Sequence, residues 1–497
     1  MQNSTAEQTR IANVHPQGWE NPRARDRYHM VVVGGGTGGL VTAAIAAGLG
    51  AKTALVERHW LGGDCLNVGC VPSKALLRAA RAWHSASTAH ERFGGPSVDG
   101  QRDFAAAVRR MQRIRADISA VDSALRYREM GVDVFFGQAR FTSSDTLTVD
   151  GQDLHFRRAV IATGTRPAVP QIPGLAKSGY LTNETVFSLT DVPRRLAVIG
   201  GGPIGSELAQ AFARFGSTVT VLERNPRILC NDDPEAAGIV VDALARDGVR
   251  LLSSATIQRV EQSQPAVIHF TRNGRIEELK ADAILVAAGR APNIDDLDLD
   301  AAGVQREAHR VITDDHLRTS NRRVYAAGDV TGLAPFTHVA DAHARMVVQN
   351  ALFFGRKKVS DLVVPWCTYT HPELAHVGMK WDEIQEGGSG FETITIPMHD
   401  VDRARLDGDD EGFLRVHLRE GTDRIVAATL VANHAGDIIG QLSMAMRQRI
   451  GLSAIGATIF PYPTDAEVIR KAADAWRRRK LSPRVLGLFR FFFRMVG

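Results

Sequence analysis

The sequence predicts an α/β protein with two Rossmann-like dinucleotide-binding units, followed by a smaller α+β module. Three observations carry this expectation. The stretch MVVVGGGTGGLVTAAIAAGLGAKTALVER reads strand, Gly-rich turn, helix, strand, acid. The stretch LAVIGGGPIGSELAQAFARFGSTVTVLER repeats that order with the same spacing of glycines and acid. From residue 361 onward, short strands and helices follow one another without a third Gly-rich turn.

Taken in order, residues 1–28 are polar and Pro-containing and read as an extended arm. The apolar run at 30–33 is a buried parallel strand. Gly34, Gly36 and Gly39 form G-x-G-x-x-G at the strand-to-helix turn, an Ala-rich helix runs to Leu49, and a second strand at 53–56 ends on Glu57. In this setting a pyrophosphate sits on the helix N-terminus and the acid takes ribose hydroxyls. Residues 104–130 read as one long helix with a solvated charged face. A β-rich piece spans 132–149, and the strand within 157–167 closes on Thr163 and Gly164, small enough for close approach of a bound group.

The second copy places Gly200, Gly202 and Gly205 at its turn and Glu223 at the end of its second strand. Both copies keep every glycine, which predicts two working dinucleotide sites. The unit ends on an apolar strand within 282–293 that closes on Gly289. Asp329 follows a strand within 321–332, where it can accept hydrogen bonds from a bound hydroxyl or cap the next helix. The last module is expected to have strands at 392–396, 412–418 and 425–432, with helices at 437–449 and 465–479.

Between the first unit's strands and its long helix lies GGDCLNVGCVPSK, residues 62–74, with two of the four cysteines. Cys65 and Cys70 are spaced to share one face, and a short apolar helix is expected from Val71 through Leu77, with Pro72 in its first turn. A thiolate near a helix N-terminus has a lowered pKa, which suits a working dithiol better than a structural staple.

Composition excludes several classes. The chain of 497 residues is 44% hydrophobic and 23% charged, with a net charge of +5. It carries no long basic stripe, so nucleic-acid binding is not indicated. Four cysteines make no disulfide framework and fit a reducing, cytoplasmic setting. No apolar run of about 18 residues exists to span a bilayer. The N-terminal arm lacks an apolar core like that of a secretory signal, and Glu7, Glu20 and Asp26 argue against a transit peptide.

The 62–74 stretch resembles the redox-active segment of the class I flavin disulfide reductases, the family of glutathione reductase, dihydrolipoamide dehydrogenase and mercuric reductase. The resemblance implies an FAD-binding domain in two parts (29–166 and 291–360) and an NAD(P)-binding domain (167–290). It also implies a dimerisation domain (361–480), flanked by the arm (1–28) and a basic-aromatic tail (481–497). Gly34, Gly36, Gly39, Glu57, Thr163, Gly164 and Asp329 would serve FAD. Gly200, Gly202, Gly205, Glu223 and Gly289 would serve NADH or NADPH. Electrons would pass from the nicotinamide through FAD to Cys65–Cys70, with Cys70 against the flavin and Cys65 attacking substrate. Lys74 would pair with Glu207 beside the flavin. Glu223 favours NADH, whereas Arg224, Arg227 and Arg250 offer charges for the 2′-phosphate of NADPH.

One departure bears on substrate. The family's dimer-interface histidine, which acts across the dimer as acid/base with a glutamate five residues on, is replaced in FPYPTDAE by Tyr462, with Glu467 kept. A phenol with a pKa of about 10 is a poor proton shuttle at neutral pH. Mercuric reductases resemble this chain in having tyrosine there, and YTHPELAHVG at 369–378 resembles them too. Their substrate is a soft ion that thiolates bind. The arm and the tail lack the paired cysteines of those proteins. His371, His376 and His434 invite a ligand reading, yet lone histidines fit structural roles as well, and no resident metal is expected. The sequence therefore points to a homodimeric, mercuric reductase-like FAD enzyme acting on a thiol-reactive substrate such as Hg(II). Two alternatives stand beside it: a dihydrolipoamide or glutathione-type disulfide reductase, and a membrane-surface redox sensor. The tail reads either as a helix on the dimer partner or as a segment lying in a membrane interface.

Overall fold

The computed structural model describes residues 5–98, 100 and 102–497. Its centre is a sheet of seven strands. The strand β1 (Tyr28–Val33) lies mid-sheet because its residues are apolar on both faces, and it pairs in parallel with β2 (Thr53–Glu57) on one side. On its other side lies the strand Gln152–Ile161, with Val33 opposite Ile161. β3 (Val132–Phe136) extends the sheet beyond β2, and the strand Val324–Ala326 returns from far along the chain to pair with Gln152–Ile161. The helix α2 (Thr37–Gly48) joins β1 to β2.

The second unit repeats this plan. The strand Arg195–Ile199 is flanked in parallel by Thr218–Leu222 and Ala283–Val286, and the helix Pro203–Phe215 follows its Gly-rich turn. The two turns superimpose in their constraints. Gly34 has φ +107° and Gly200 φ +109°, and a Cβ on Gly39 or Gly205 would meet the carbonyl oxygen of Gly34 or Gly200 at 1.8 and 2.0 Å. Only glycine fits such a closure. The last module is a five-stranded antiparallel sheet with the helices Ala435–Arg447 and Glu467–Arg479 packed against it. Two of its strands, Pro365–Thr368 and Glu373–Gly378, lie outside the expected set.

Three expectations need correction. The N-terminal arm is not wholly extended, because Thr5–Val14 is a helix (α1). Its Arg10 is buried, bonded to Glu7 and Asn67, and stacked 4.6 Å over the Trp60 ring. The contacts to Asn67 and Trp60, rather than local propensity, fix the helix. The rest of the arm follows β3: the Asn21 amide bonds both ways with the Phe136 backbone, at 2.7 and 2.8 Å. The helix after the cysteines is not short; it runs 24 residues, Cys70–Phe93, and stops at Gly94 in the left-handed region (φ 65°). The single helix expected at 104–130 is two, Phe104–Ser119 and Ala124–Glu129, because the Ser123 hydroxyl accepts from Arg126 N and starts a new helix.

Candidate active site

The cysteine stretch packs directly on the first Gly-rich turn. Gly62 N donates to Gly35 O at 2.8 Å, and a Cβ on Gly63 would meet Gly36 Cα at 2.6 Å. Backbone thus lies on backbone, and the dithiol is held beside the first dinucleotide turn. A five-residue helix, Gly63–Asn67, carries Cys65, and the long helix begins on Cys70 itself, with Gly69 as its cap.

Cys65 and Cys70 are free thiols joined by a hydrogen bond. They form an asymmetric pair. The Cys65 thiol, donating to Cys70 and partly buried, is pushed up. Cys70 is lowered to about 6, first by the bond from Cys65, then by the Thr337 hydroxyl and the Lys74 charge, against the opposing effect of burial. Thr337 Oγ1 lies 3.5 Å from Cys70 Sγ, and the helix N-terminus adds its dipole.

Lys74, one turn further on, reaches the second unit. Its Nζ donates to Glu207 Oε2 at 2.7 Å, and Glu207 is buried on the helix Pro203–Phe215. The other carboxylate oxygen accepts from Tyr369 N at 2.9 Å, and Lys74 Nζ sits 4.6 Å over the Tyr369 ring. Three parts of the chain therefore meet beside the dithiol. A shallow groove next to Cys70 is lined by Lys74, Ala75, Arg78, Arg110 and Ile114.

The dinucleotide residues form two matching cradles. Glu57 accepts from Gly35 N and His59 N, both at 2.6 Å; Glu223 accepts from Gly201 N at 2.6 Å and Asn225 N at 2.7 Å. Each carboxylate is thereby fixed over its own turn with lone pairs to spare. A Cβ on Gly202 would meet nothing within 4 Å, and one on Gly36 only Gly63 Cα at 3.7 Å, so the space over these turns is open. Gly164 and Gly289 likewise face open space.

Thr163 Oγ1 is buried with no partner among the described residues, as suits a hydroxyl that meets a bound group. Asn293 holds this corner by bonding Thr163 O and Gly164 O. Asp329 follows Val324–Ala326, accepts from the Thr165 hydroxyl at 3.2 Å, and is raised by burial. These features fit a flavin dinucleotide laid across the first unit.

Tyr462 and Glu467 stand apart from this site. No hydrogen bond or ion pair among the described residues links either to Cys65 or Cys70 within the chain. Tyr462 is 70% exposed and donates to Asp402 Oδ2 at 3.0 Å. Glu467 is buried; Arg470 bonds its Oε1, and its Oε2 has no partner among the described residues.

Nor do the histidines gather. His376 is buried between Thr429 Oγ1 and Met379 O, His371 lies near Arg214 and Asp409, and His434 is exposed. Among the described residues no three His, Cys, Asp or Glu side chains are placed to hold a metal. Sequence reasoning missed Thr337 and gave Tyr369 no role. Neither carries a local signal, since Thr337 lies 267 residues from the cysteine it touches.

Known proteins resemble this chain along most of its length. Residues 28–352 match the pyridine nucleotide-disulphide oxidoreductase family, and residues 364–473 match its dimerisation domain, which supports a homodimer. A mercuric reductase of Lysinibacillus sphaericus is 36% identical over 91% of this chain and 84% of its own length. A dihydrolipoyl dehydrogenase of Chlamydia muridarum is 33% identical over 90% of this chain and 96% of its own. Among solved structures, a Cu(II) complex of the HOCl-induced flavoprotein disulfide reductase RclA from Escherichia coli aligns with a TM-score of 0.81. It is 28% identical and covers 91% of this chain and 100% of that one. The chain belongs to the pyridine nucleotide-disulphide oxidoreductase family, whose members depend on FAD and use NAD(P)H.

Proposed function

We propose that this oxidoreductase passes an electron pair from NAD(P)H to a thiophilic acceptor at Cys65–Cys70, with Hg(II) as the favoured acceptor. The observation that carries the reading is the thiol pair itself. The Cys70 thiol is lowered to about 6, first by the hydrogen bond from Cys65, and the Cys65 thiol is raised by the same bond. Two adjacent sulfurs suit a soft cation. Tyr462, turned to Asp402, offers no proton near pH 7. The mercuric reductase relatives point the same way.

In this reading Gly34, Gly36, Gly39, Glu57, Thr163, Gly164 and Asp329 hold FAD, and Gly200, Gly202, Gly205, Glu223 and Gly289 hold the nicotinamide dinucleotide. FAD, when bound, supplies two-electron exchange between nicotinamide and dithiol. The protein's own residues do the rest. Thr337 and Lys74 stabilise the Cys70 thiolate, Cys65 presents the second sulfur to the acceptor, and Glu207 holds Lys74 in place. Thr337 and Glu207 act as positioning residues. The acceptor reaches the dimer interface, to which Tyr462 and Glu467 of each subunit belong.

A disulfide acceptor is the second reading, favoured by the dihydrolipoyl dehydrogenase relative. Steady-state NAD(P)H oxidation separates the two when Hg(II) with excess thiol, oxidised lipoamide and oxidised glutathione are compared. The first reading expects turnover with Hg(II) at least about 100-fold above either disulfide, given the effect of a missing acid/base. Faster turnover with lipoamide overturns it.

A further inference from the structure

The C-terminal helix Pro483–Val496 has no buried residue, although it is rich in large apolar side chains. Val485, Leu488, Phe489, Phe492, Met495 and Val496 follow one another at helical spacing and share one face. Leu488 is 67% exposed, Phe492 54% and Met495 72%. Gly487, Arg490 and Arg494 share the opposite face at the same spacing. A contiguous apolar face of this kind marks a docking surface. At 14 residues the helix is too short to cross a bilayer, and no helix among the described residues is long and apolar enough to do so.

Charge selects the occupant. From Ala475 to Gly497 the chain carries Arg477, Arg478, Arg479, Lys480, Arg484, Arg490 and Arg494, with no Asp or Glu. A two-fold pairing of this segment with its copy would set like charges against each other, with no acid in the segment to pair them. An anionic lipid surface meets both features. Acyl chains receive the Phe and Leu face, and lipid phosphates receive arginines that reach outward from it. We propose that residues 481–497 are an in-plane anchor that docks the enzyme on anionic phospholipid. Docking is independent of which acceptor the dithiol reduces.

The test uses the full-length FAD-loaded protein and sedimentation with two vesicle types: phosphatidylcholine alone, and phosphatidylcholine with phosphatidylglycerol. The expected result is binding to the phosphatidylglycerol vesicles at least about tenfold tighter than to phosphatidylcholine, weakening as salt is raised. Removal of residues 481–497 abolishes it, as does the double change Phe489→Glu and Phe492→Glu, with the dimer and NAD(P)H oxidation intact in both. Should these variants fail to fold, Arg490→Ala with Arg494→Ala is expected to reduce the preference for phosphatidylglycerol. The proposal is overturned if the full-length protein ignores phosphatidylglycerol, or if the truncated protein binds it equally. It is also overturned if truncation yields monomers, which would make the tail part of the dimer interface.

Discussion

Lys74 Nζ and Glu207 Oε2 lie 2.7 Å apart and tie the dithiol helix to the first helix of the second dinucleotide unit. The contact is one-sided in burial: the Glu207 side chain is 5% exposed and that of Lys74 36%. Glu207 therefore depends on Lys74 for charge neutralisation, with Tyr369 N as its other partner. Lys74→Met is expected to destabilise the protein by about 2 kcal/mol in urea unfolding, since it leaves a buried carboxylate uncompensated. Glu207→Gln keeps an acceptor for Tyr369 N but releases Lys74. It is expected to slow reduction of the bound flavin by NAD(P)H about tenfold in stopped flow, one order of magnitude being about 1.4 kcal/mol.

The Cys70 thiol is lowered to about 6, so its thiolate forms as pH rises through about 6 rather than near the ordinary value of about 8.5. In the reduced enzyme, the thiolate signal followed by absorbance is expected to grow through that lower midpoint. The first cause is the hydrogen bond from Cys65. Cys65→Ala removes it, and the midpoint should move upward by about one unit, in keeping with the strength of a hydrogen bond to a charged group. An unmoved midpoint would assign the effect to Thr337 and Lys74.

Tyr462 and Glu467 sit on the interface module, where one buried Glu467 oxygen has no partner among the described residues. That oxygen is available to orient an imidazole. Tyr462→His is therefore expected to raise oxidised-lipoamide turnover at least about tenfold, with a bell-shaped pH profile that the parent lacks. Tyr462→Phe is expected to leave disulfide turnover as low as in the parent.

Coenzyme preference follows from the second cradle. Arg227 is committed to three backbone carbonyls, those of Leu229, Cys230 and Asp232, at 2.6 to 2.8 Å. Glu223 is buried at the end of its strand. Arg227 is thus occupied, while Arg224 and Arg250 are exposed. Values of kcat/KM are expected to favour NADH over NADPH by about tenfold, and Glu223→Ala is expected to narrow that ratio chiefly through KM for NADH.

Much of this was legible in the sequence because it is written locally. Gly34 to Glu57 and Gly200 to Glu223 each fit in one short window, and the backbone closure at Gly39 and Gly205 allows no other residue. Cys65, Cys70 and Lys74 likewise sit in one stretch. What escaped was set by contacts between distant segments. The helix Thr5–Val14 is polar and forms because Arg10 finds Asn67 and the Trp60 ring. Thr337 and Tyr369 reach the site from other parts of the fold. The split at Ser123 was readable as a capping residue, but the helical pattern on either side masked it.

The proposed exit for electrons is Cys65–Cys70. It is tested most directly by single-turnover and steady-state NAD(P)H oxidation of Cys65→Ser and Cys70→Ser with Hg(II) and excess thiol. Both variants are expected to accept hydride into FAD at near the parent rate while losing at least about 100-fold in turnover with the metal, as for removal of an activated nucleophile. If either variant reduces Hg(II) at the parent rate, the dithiol is not the exit for electrons.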